Sequence, residues 1–260
     1  MFENKQYLEF IKQCKKDKLD IALTFVNNTS GSTFTKEGNI MLVNSKDEFA
    51  GILGSSFLHE KVLQNSRIAL KTKEKKLFKS IPKEPSSGHG ESSYETIAFF
   101  CEDNFKGIEN YIKTPYSILI FGSGAHVSSL ISMANLMGWQ TTVIDINIKK
   151  EFVNDADNLI ELKNLEDIFS IDLNSFDASV ILSHNPKTDD TYLEALLKTN
   201  INYIGIMGNK KSAQHKKEKF NLQNDKRFFA PIGFDIGSYT SQSIALSICS
   251  QIEAQRNGKI

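Results

Sequence analysis

The residues best suited to chemistry lie in Phe121-Gly122-Ser123-Gly124-Ala125-His126-Val127. An apolar run ends at this segment and a helical pattern begins after it. A glycine at 122 permits a tight turn. A glycine at 124 lets the backbone approach a pyrophosphate, and the following helix offers unpaired N–H groups and a partial positive charge. Gly122, Ser123, Gly124 and Ala125 are therefore the candidate phosphate loop. Val127 stands where a third small residue is usual. Asp145 ends the next short apolar run, at about the twenty-residue offset at which an acid accepts hydrogen bonds from a ribose. A carboxylate there favours free ribose hydroxyls, and hence an NAD-like rather than a 2′-phosphorylated dinucleotide. The plainer alternative is a structural glycine turn and a capping or surface acid.

Three further segments follow apolar runs. Ser183-His184-Asn185-Pro186 presents an imidazole able to exchange protons near neutrality, although Ser183 or Asn185 can equally cap the next helix. In Gly205-Ile206-Met207-Gly208-Asn209-Lys210-Lys211, Gly208 admits close ligand approach and either lysine can meet a phosphate; a solvated basic helix is the alternative. Pro231-Ile232-Gly233-Phe234-Asp235-Ile236-Gly237 carries one acid, Asp235, which either contacts ligand or orders its own loop. Thr29-Ser30-Gly31-Ser32 and Gly51–Ser56 are small-residue loops, read alone as turns. His59 begins a helix, and His89 lies between two glycines. No Ser-His-Asp, Cys-His or metal-binding set assembles, so no catalytic residue and no metal ligand is assigned.

The elements that must position these residues differ between the two halves. In the second, Ser117–Phe121, Thr141–Ile144, Ala178–Leu182 and Tyr203–Ile206 read as short strands. They alternate with helical patterns: Val127, Leu130, Ile131, Ala134 and Met137; Thr191–Lys198; Lys210–Lys219; and Ile244, Ile248 and Ile252. Such alternation predicts a doubly wound parallel sheet of the Rossmann type over residues 115–260, with ligands at the carboxyl ends of its strands. Residues 1–105 read as a smaller α+β unit. Its helices are expected at about Lys5–Lys16 and Leu58–Thr72. Strands are expected at Ile21–Val26, Ile40–Val43, Phe49–Leu53 and Thr96–Cys101, with turn chemistry over Asn27–Ser32. Lys71–Lys79 reads as a solvated helix end and Pro82–Gly90 as an irregular loop, and the boundary falls at Lys113-Thr114-Pro115.

Lys+Arg and Asp+Glu each number 31, so a neutral chain offers no electrostatic case for a nucleic-acid or anionic-membrane partner. Cys14, Cys101 and Cys249 are dispersed, which suits a reducing compartment and excludes a zinc pattern. The N-terminal segment lacks the apolar stretch of a signal peptide, and no run reaches the roughly 18 apolar residues of a membrane span. The expectation is a cytoplasmic protein; self-association as a homodimer is left open.

Four segments together resemble a known family. They are FGSGAHVSSLISMANLMGWQTTVID, VILSHNPKTDDTYLEALL, YIGIMGNKKS and APIGFDIGSYTSQSIALSICSQIEAQRNG. In this order and spacing they are similar to the xanthine dehydrogenase accessory proteins, the XdhC/CoxI family. TSGSTFTKEGNIMLV and GILGSSFLHE resemble that family's N-terminal domain. The resemblance implies an accessory chaperone that binds molybdenum cofactor (molybdopterin), protects it and hands it to a molybdenum hydroxylase such as xanthine dehydrogenase, alongside a cysteine desulfurase. Two departures mark a divergent member: Phe57 stands where the family carries a cysteine, and Gly88-His89-Gly90 stands nearest to a second cysteine segment. The other readings of the same residues are an NAD-dependent oxidoreductase with His184 as acid/base, and a non-catalytic nucleotide-binding scaffold.

Overall fold

The structure, a computed structural model, describes residues 4–82 and 89–260 and divides into two units, Met1–Thr114 and Pro115–Ile260.

In the first unit, α1 (Lys5–Asp17) starts at Asn4, whose side chain accepts from the Gln6 backbone N–H. Strands β1 (Ile21–Ser30), β2 (Ile40–Asn44) and β3 (Phe49–Ala50) follow. Next come α2 (Ser56–Thr72), β4 (Lys76–Ser80) and β5 (Glu91–Phe99). The strands form one antiparallel sheet in the order β3-β2-β1-β5-β4. β2 is buried on both faces: Ile40 and Leu42 pack with Tyr7 and Cys14 of α1, whereas Met41 and Val43 pack with Leu58 and Val62 of α2. Residues 106–114, beyond the expected limit at 105, pack into this unit through Ile108.

Several local expectations change here. The segment read as a turn over Asn27–Ser32 is strand as far as Ser30, because β5 pairs with it beyond a bulge between Val26 and Asn28. The strand expected over Phe49–Leu53 is only Phe49–Ala50. That expected over Thr96–Cys101 runs Glu91–Phe99 instead. Lys76–Ser80, overlapping the supposed helix end, is an edge strand, and its exposed Lys79 is what an edge tolerates. Residues 83–88 of the expected irregular loop lie outside the described residues.

In the second unit, β6 (Ser117–Phe121) explains the layering. Ile118 and Ile120 face one core and Leu119 and Phe121 the other, so the strand is apolar throughout rather than alternating. The chain continues with α3 (Val127–Leu136), β7 (Gln140–Asp145), α4 (Lys150–Val153), β8 (Asn158–Glu161) and β9 (Ala178–Ile181). It ends with α5 (Pro186–Leu197), β10 (Tyr203–Ile206), α6 (Lys210–Lys219), β11 (Phe228–Phe229) and α7 (Ser241–Arg256). Helices α3 and α7 pack on the Ile118 face and α5 on the Phe121 face. All pairings are parallel, in the order β11-β10-β9-β6-β7-β8. In the numbering of this unit alone, that is the 6-5-4-1-2-3 order of a dinucleotide-binding sheet. The order reverses between β6 and β9, and a crevice opens there at the strand ends. Helix α5 starts five residues earlier than Thr191, because Asn185 caps it and Pro186 occupies its first turn. β8 was not anticipated; its burial is partial, and pairing with β7 holds it extended.

Candidate functional site

Gly122 follows β6 at the crevice. Its N–H donates to Ile144 O at 3.0 Å, and its φ of +105° lies in the left-handed region. A Cβ at 122 would sit 2.9 Å from Ser183 Cα. Glycine therefore lets the loop after β6 cross directly against the loop after β9. The next residue, Ser123, is 2% exposed and serves as a brace. Its Oγ donates to Asp145 Oδ2 at 2.7 Å and accepts from Lys149 N at 3.1 Å. Asp145 Oδ1 accepts from the Ile146 N–H at 2.8 Å. Asp145 thus ties the loop after β7 to the glycine loop. Each of its oxygens makes one internal bond, which leaves acceptor capacity on a half-buried carboxylate.

Gly124 is crowded differently. Its missing Cβ would lie 2.8 Å from Cε1 and 3.0 Å from Nδ1 of His126. The space expected for a close-lying pyrophosphate is thus bordered by an imidazole. His126 stands at the N-cap position of α3 without a side-chain cap bond, and its Nε2 lies 3.0 Å from Leu182 O. A carbonyl only accepts, so Nε2 carries the proton. Burial lowers the His126 pKa, and neighbouring His184 lowers it further against the opposing Leu182 bond. The two imidazoles meet edge to face, with centroids 4.5 Å apart. His184 is exposed and holds a φ of +55°, uncommon for a side chain of its size.

Beneath the two rings lies a cavity of about 250 Å3, floored by Leu130 of α3, Met207 after β10, and Ile244, Ala245 and Ile248 of α7. On the opposite side of the crevice, Ser183 donates a short hydrogen bond to Asp189, which is 8% exposed. Burial raises the Asp189 carboxyl above the usual range, against the Ser183 bond and the attraction of Lys216.

Gly122, Ser123, Gly124, Asp145, Ser183 and His184 are thus gathered at one crevice. Ala125 is exposed at the start of the same helical turn. His126, Met207 and Asp189 escaped sequence reasoning as site residues, although His126 and Met207 stood inside glycine segments already singled out. Gly208 is one residue from Met207, and a Cβ there would meet only Ser212. Asp235 is exposed and makes no hydrogen bond to the other site residues among the described residues; Phe234 N–H to Ser247 O secures its loop. Lys210 and Lys211 stay exposed on the first turn of α6, whereas Lys216 and Lys219 pair with Asp190.

A family model described as the XdhC Rossmann domain matches residues 118–252, from β6 to α7. The chain belongs to the XdhC family. It is 24% identical over 250 residues to the uncharacterized protein YqeB of Escherichia coli, covering 91% of this chain and 43% of that protein. It is 26% identical over 139 residues to a probable xanthine dehydrogenase subunit from Bacillus subtilis, covering 52% of this chain and 41% of that one. The chain therefore spans less than half the length of these relatives. A structure described as a xanthine dehydrogenase from Bacillus halodurans shares the fold over 100% of this chain and 97% of its own, with a TM-score of 0.80 at 18% identity.

Against the XdhC family resemblance, Phe57 replaces an expected cysteine and is 78% exposed on the first turn of α2. Cys14 and Cys249 are buried, and burial pushes the Cys249 thiol up to about 12 and raises that of Cys14. Neither is a ready thiolate at neutral pH. Among the described residues no group of three or more His, Cys, Asp or Glu is placed to hold a metal ion, and no helix is long and apolar enough to cross a membrane.

Proposed function

We propose that this XdhC-family chain is an accessory chaperone that binds molybdenum cofactor by its phosphate-bearing end and delivers it to a molybdenum hydroxylase such as xanthine dehydrogenase. One observation carries the reading: the Gly122 loop crosses against Ser183 at the switch point of a parallel sheet and is braced through Ser123 to Asp145. This is the arrangement that holds a pyrophosphate. The partner class comes from the Bacillus subtilis relative, whose name places it with a xanthine dehydrogenase.

The cargo best matched is the dinucleotide form of the cofactor, which carries the pyrophosphate. The glycine-loop N–H groups and the α3 N-terminus face its negative charge. The spare lone pairs of Asp145 accept from ribose hydroxyls. Ser183, His184 and Gly208 border the remainder. The donor set suits the nucleotide end rather than the metal, because no thiolate stands at the glycine loop. Holding the cofactor then needs no covalent step: the chain binds it, shields it and releases it to the client.

The test is native mass spectrometry of protein freshly purified from cells making the cofactor, paired with activation of a client hydroxylase. The expected result is a retained pterin dinucleotide. Asp145→Ala should lose about 1.5–3 kcal/mol of affinity, the contribution of one charge-assisted hydrogen bond. Unchanged affinity in a folded variant removes Asp145 from the site. Steady NADH production that disappears in His184→Ala replaces the chaperone with the NAD-dependent oxidoreductase.

A further inference from the structure

The cavity under His126 and His184 has no part in holding a pyrophosphate or a ribose. At about 250 Å3 it is below the ~300 Å3 at which pockets for whole drug-sized ligands begin, so it suits one flat ring system rather than a nucleotide. Its walls are almost entirely carbon, from Leu130, Met207, Ile244 and Ile248. The polar opportunity is at the rim. With the Nε2 proton donated to Leu182 O, the neutral His126 ring leaves Nδ1 as an acceptor. Nothing among the described residues donates to it. That Nδ1 edge lies against Gly124, the point at which a bound phosphate chain would pass.

We infer that this cavity is a ring subsite for a planar nitrogen heterocycle bearing an exocyclic amide or amino group, whose N–H donates to His126 Nδ1. The ring slides between the α3 and α7 side chains, with the Met207 thioether at its edge, a contact favoured between sulfur and aromatic rings. His184 closes over the rim edge to face with His126. The inference deepens the cofactor reading above, on which it rests, by stating which chemical class of head group lies beyond the pyrophosphate. A nicotinamide, a pterin and an adenine share that chemistry.

The test uses fragments that carry no phosphate. Nicotinamide, 6-methylpterin, adenine and benzene are titrated into the full chain while the histidine ring resonances are followed by NMR, assigned with His126→Phe and His184→Ala. The heterocycles should shift the His126 and His184 signals and compete with one another. The tightest should bind about ten-fold better than benzene, the ratio one hydrogen bond of ~1.4 kcal/mol provides. The order among the three identifies the native head group. His126→Phe should reduce the heterocycles to the benzene level and leave benzene unchanged. Ala245→Phe, which fills the cavity, should remove all four. Benzene binding as well as the heterocycles overturns the acceptor role. Absence of shifts at both histidines overturns the subsite, and the wild-type titration decides this without any variant. If fragments bind here while the purified chain retains no pterin dinucleotide, the chaperone reading fails and the subsite stands; the converse result removes only the subsite.

Discussion

Replacing Gly122 with alanine should unfold the second unit far more readily than replacing Gly124, although both belong to one short motif. At Gly122 the backbone φ is +105°, a region that costs a residue with a Cβ roughly 1–2 kcal/mol. The new methyl would also lie 2.9 Å from Ser183 Cα and 3.0 Å from the Leu182 carbonyl carbon. Those atoms cannot retreat easily, because Leu182 N–H donates to Phe121 O at 2.8 Å and Gly122 N–H to Ile144 O at 3.0 Å. Overpacking of this kind costs about 1–3 kcal/mol, so the expected loss is about 2–5 kcal/mol. Gly124 lies outside the left-handed region, and its methyl would meet only the edge of the His126 ring, 2.8 Å away, a side chain that can give way by stretching its hydrogen bond to Leu182 O. Its loss should stay under about 1 kcal/mol, and His126→Ala should relieve it in a double-mutant cycle. Urea unfolding followed by Trp139 fluorescence is the assay. Trp139 is the chain's single tryptophan, 1% exposed in the core of this unit, so its emission reports on this unit alone. Equal losses at the two positions, or a loss below about 1 kcal/mol for Gly122→Ala with the unfolding slope unchanged, would refute the packing argument.

Burial raises the Asp189 carboxyl, so the folded state loses stability as pH rises from the ordinary carboxylate range through the raised value. Asp189→Asn, which keeps an acceptor for Ser183, should therefore stabilise the second unit at neutral pH, with the advantage vanishing in acid; thermal melts across pH decide it, and a variant less stable at pH 7 counts against the assignment. His126, whose pKa is lowered chiefly by burial, should titrate below the ordinary ~6.5, and the stability it confers should be lost as pH falls from there. An NMR midpoint at or above that value would contradict the burial of His126 and its contact with His184. The buried Tyr192 hydroxyl has no hydrogen-bond partner among the described residues while its ring stacks on Phe121. Tyr192→Phe should accordingly raise stability by about 1 kcal/mol in urea unfolding, and a comparable loss would reveal a missing partner.

What the sequence by itself determined is what short stretches of chain decide. The glycine pair between an apolar run and a helical pattern marks a strand–loop–helix, because only glycine takes a φ of +105° there without strain. The continuous apolar character of Ser117–Phe121 announces a strand covered on both faces, and the alternation of such runs with helices announces the doubly wound sheet. Asp145 was legible for the same reason, as the residue that ends the second strand. The tertiary structure alone decided which residues meet. Lys76–Ser80 and Asn158–Glu161 have little apolar pattern of their own and are strands because β5 and β7 offer them a paired edge. Ser123 became the brace for Asp145 rather than merely a small loop residue, since the parallel register sets β7 beside β6. His126 and His184, distant along the chain, face each other only because the sheet places β9 next to β6. Backbone propensity is a property of neighbours in sequence; a hydrogen-bond partner, a cavity and a shifted pKa are properties of neighbours in space, and those are chosen by the order of strands in the sheet.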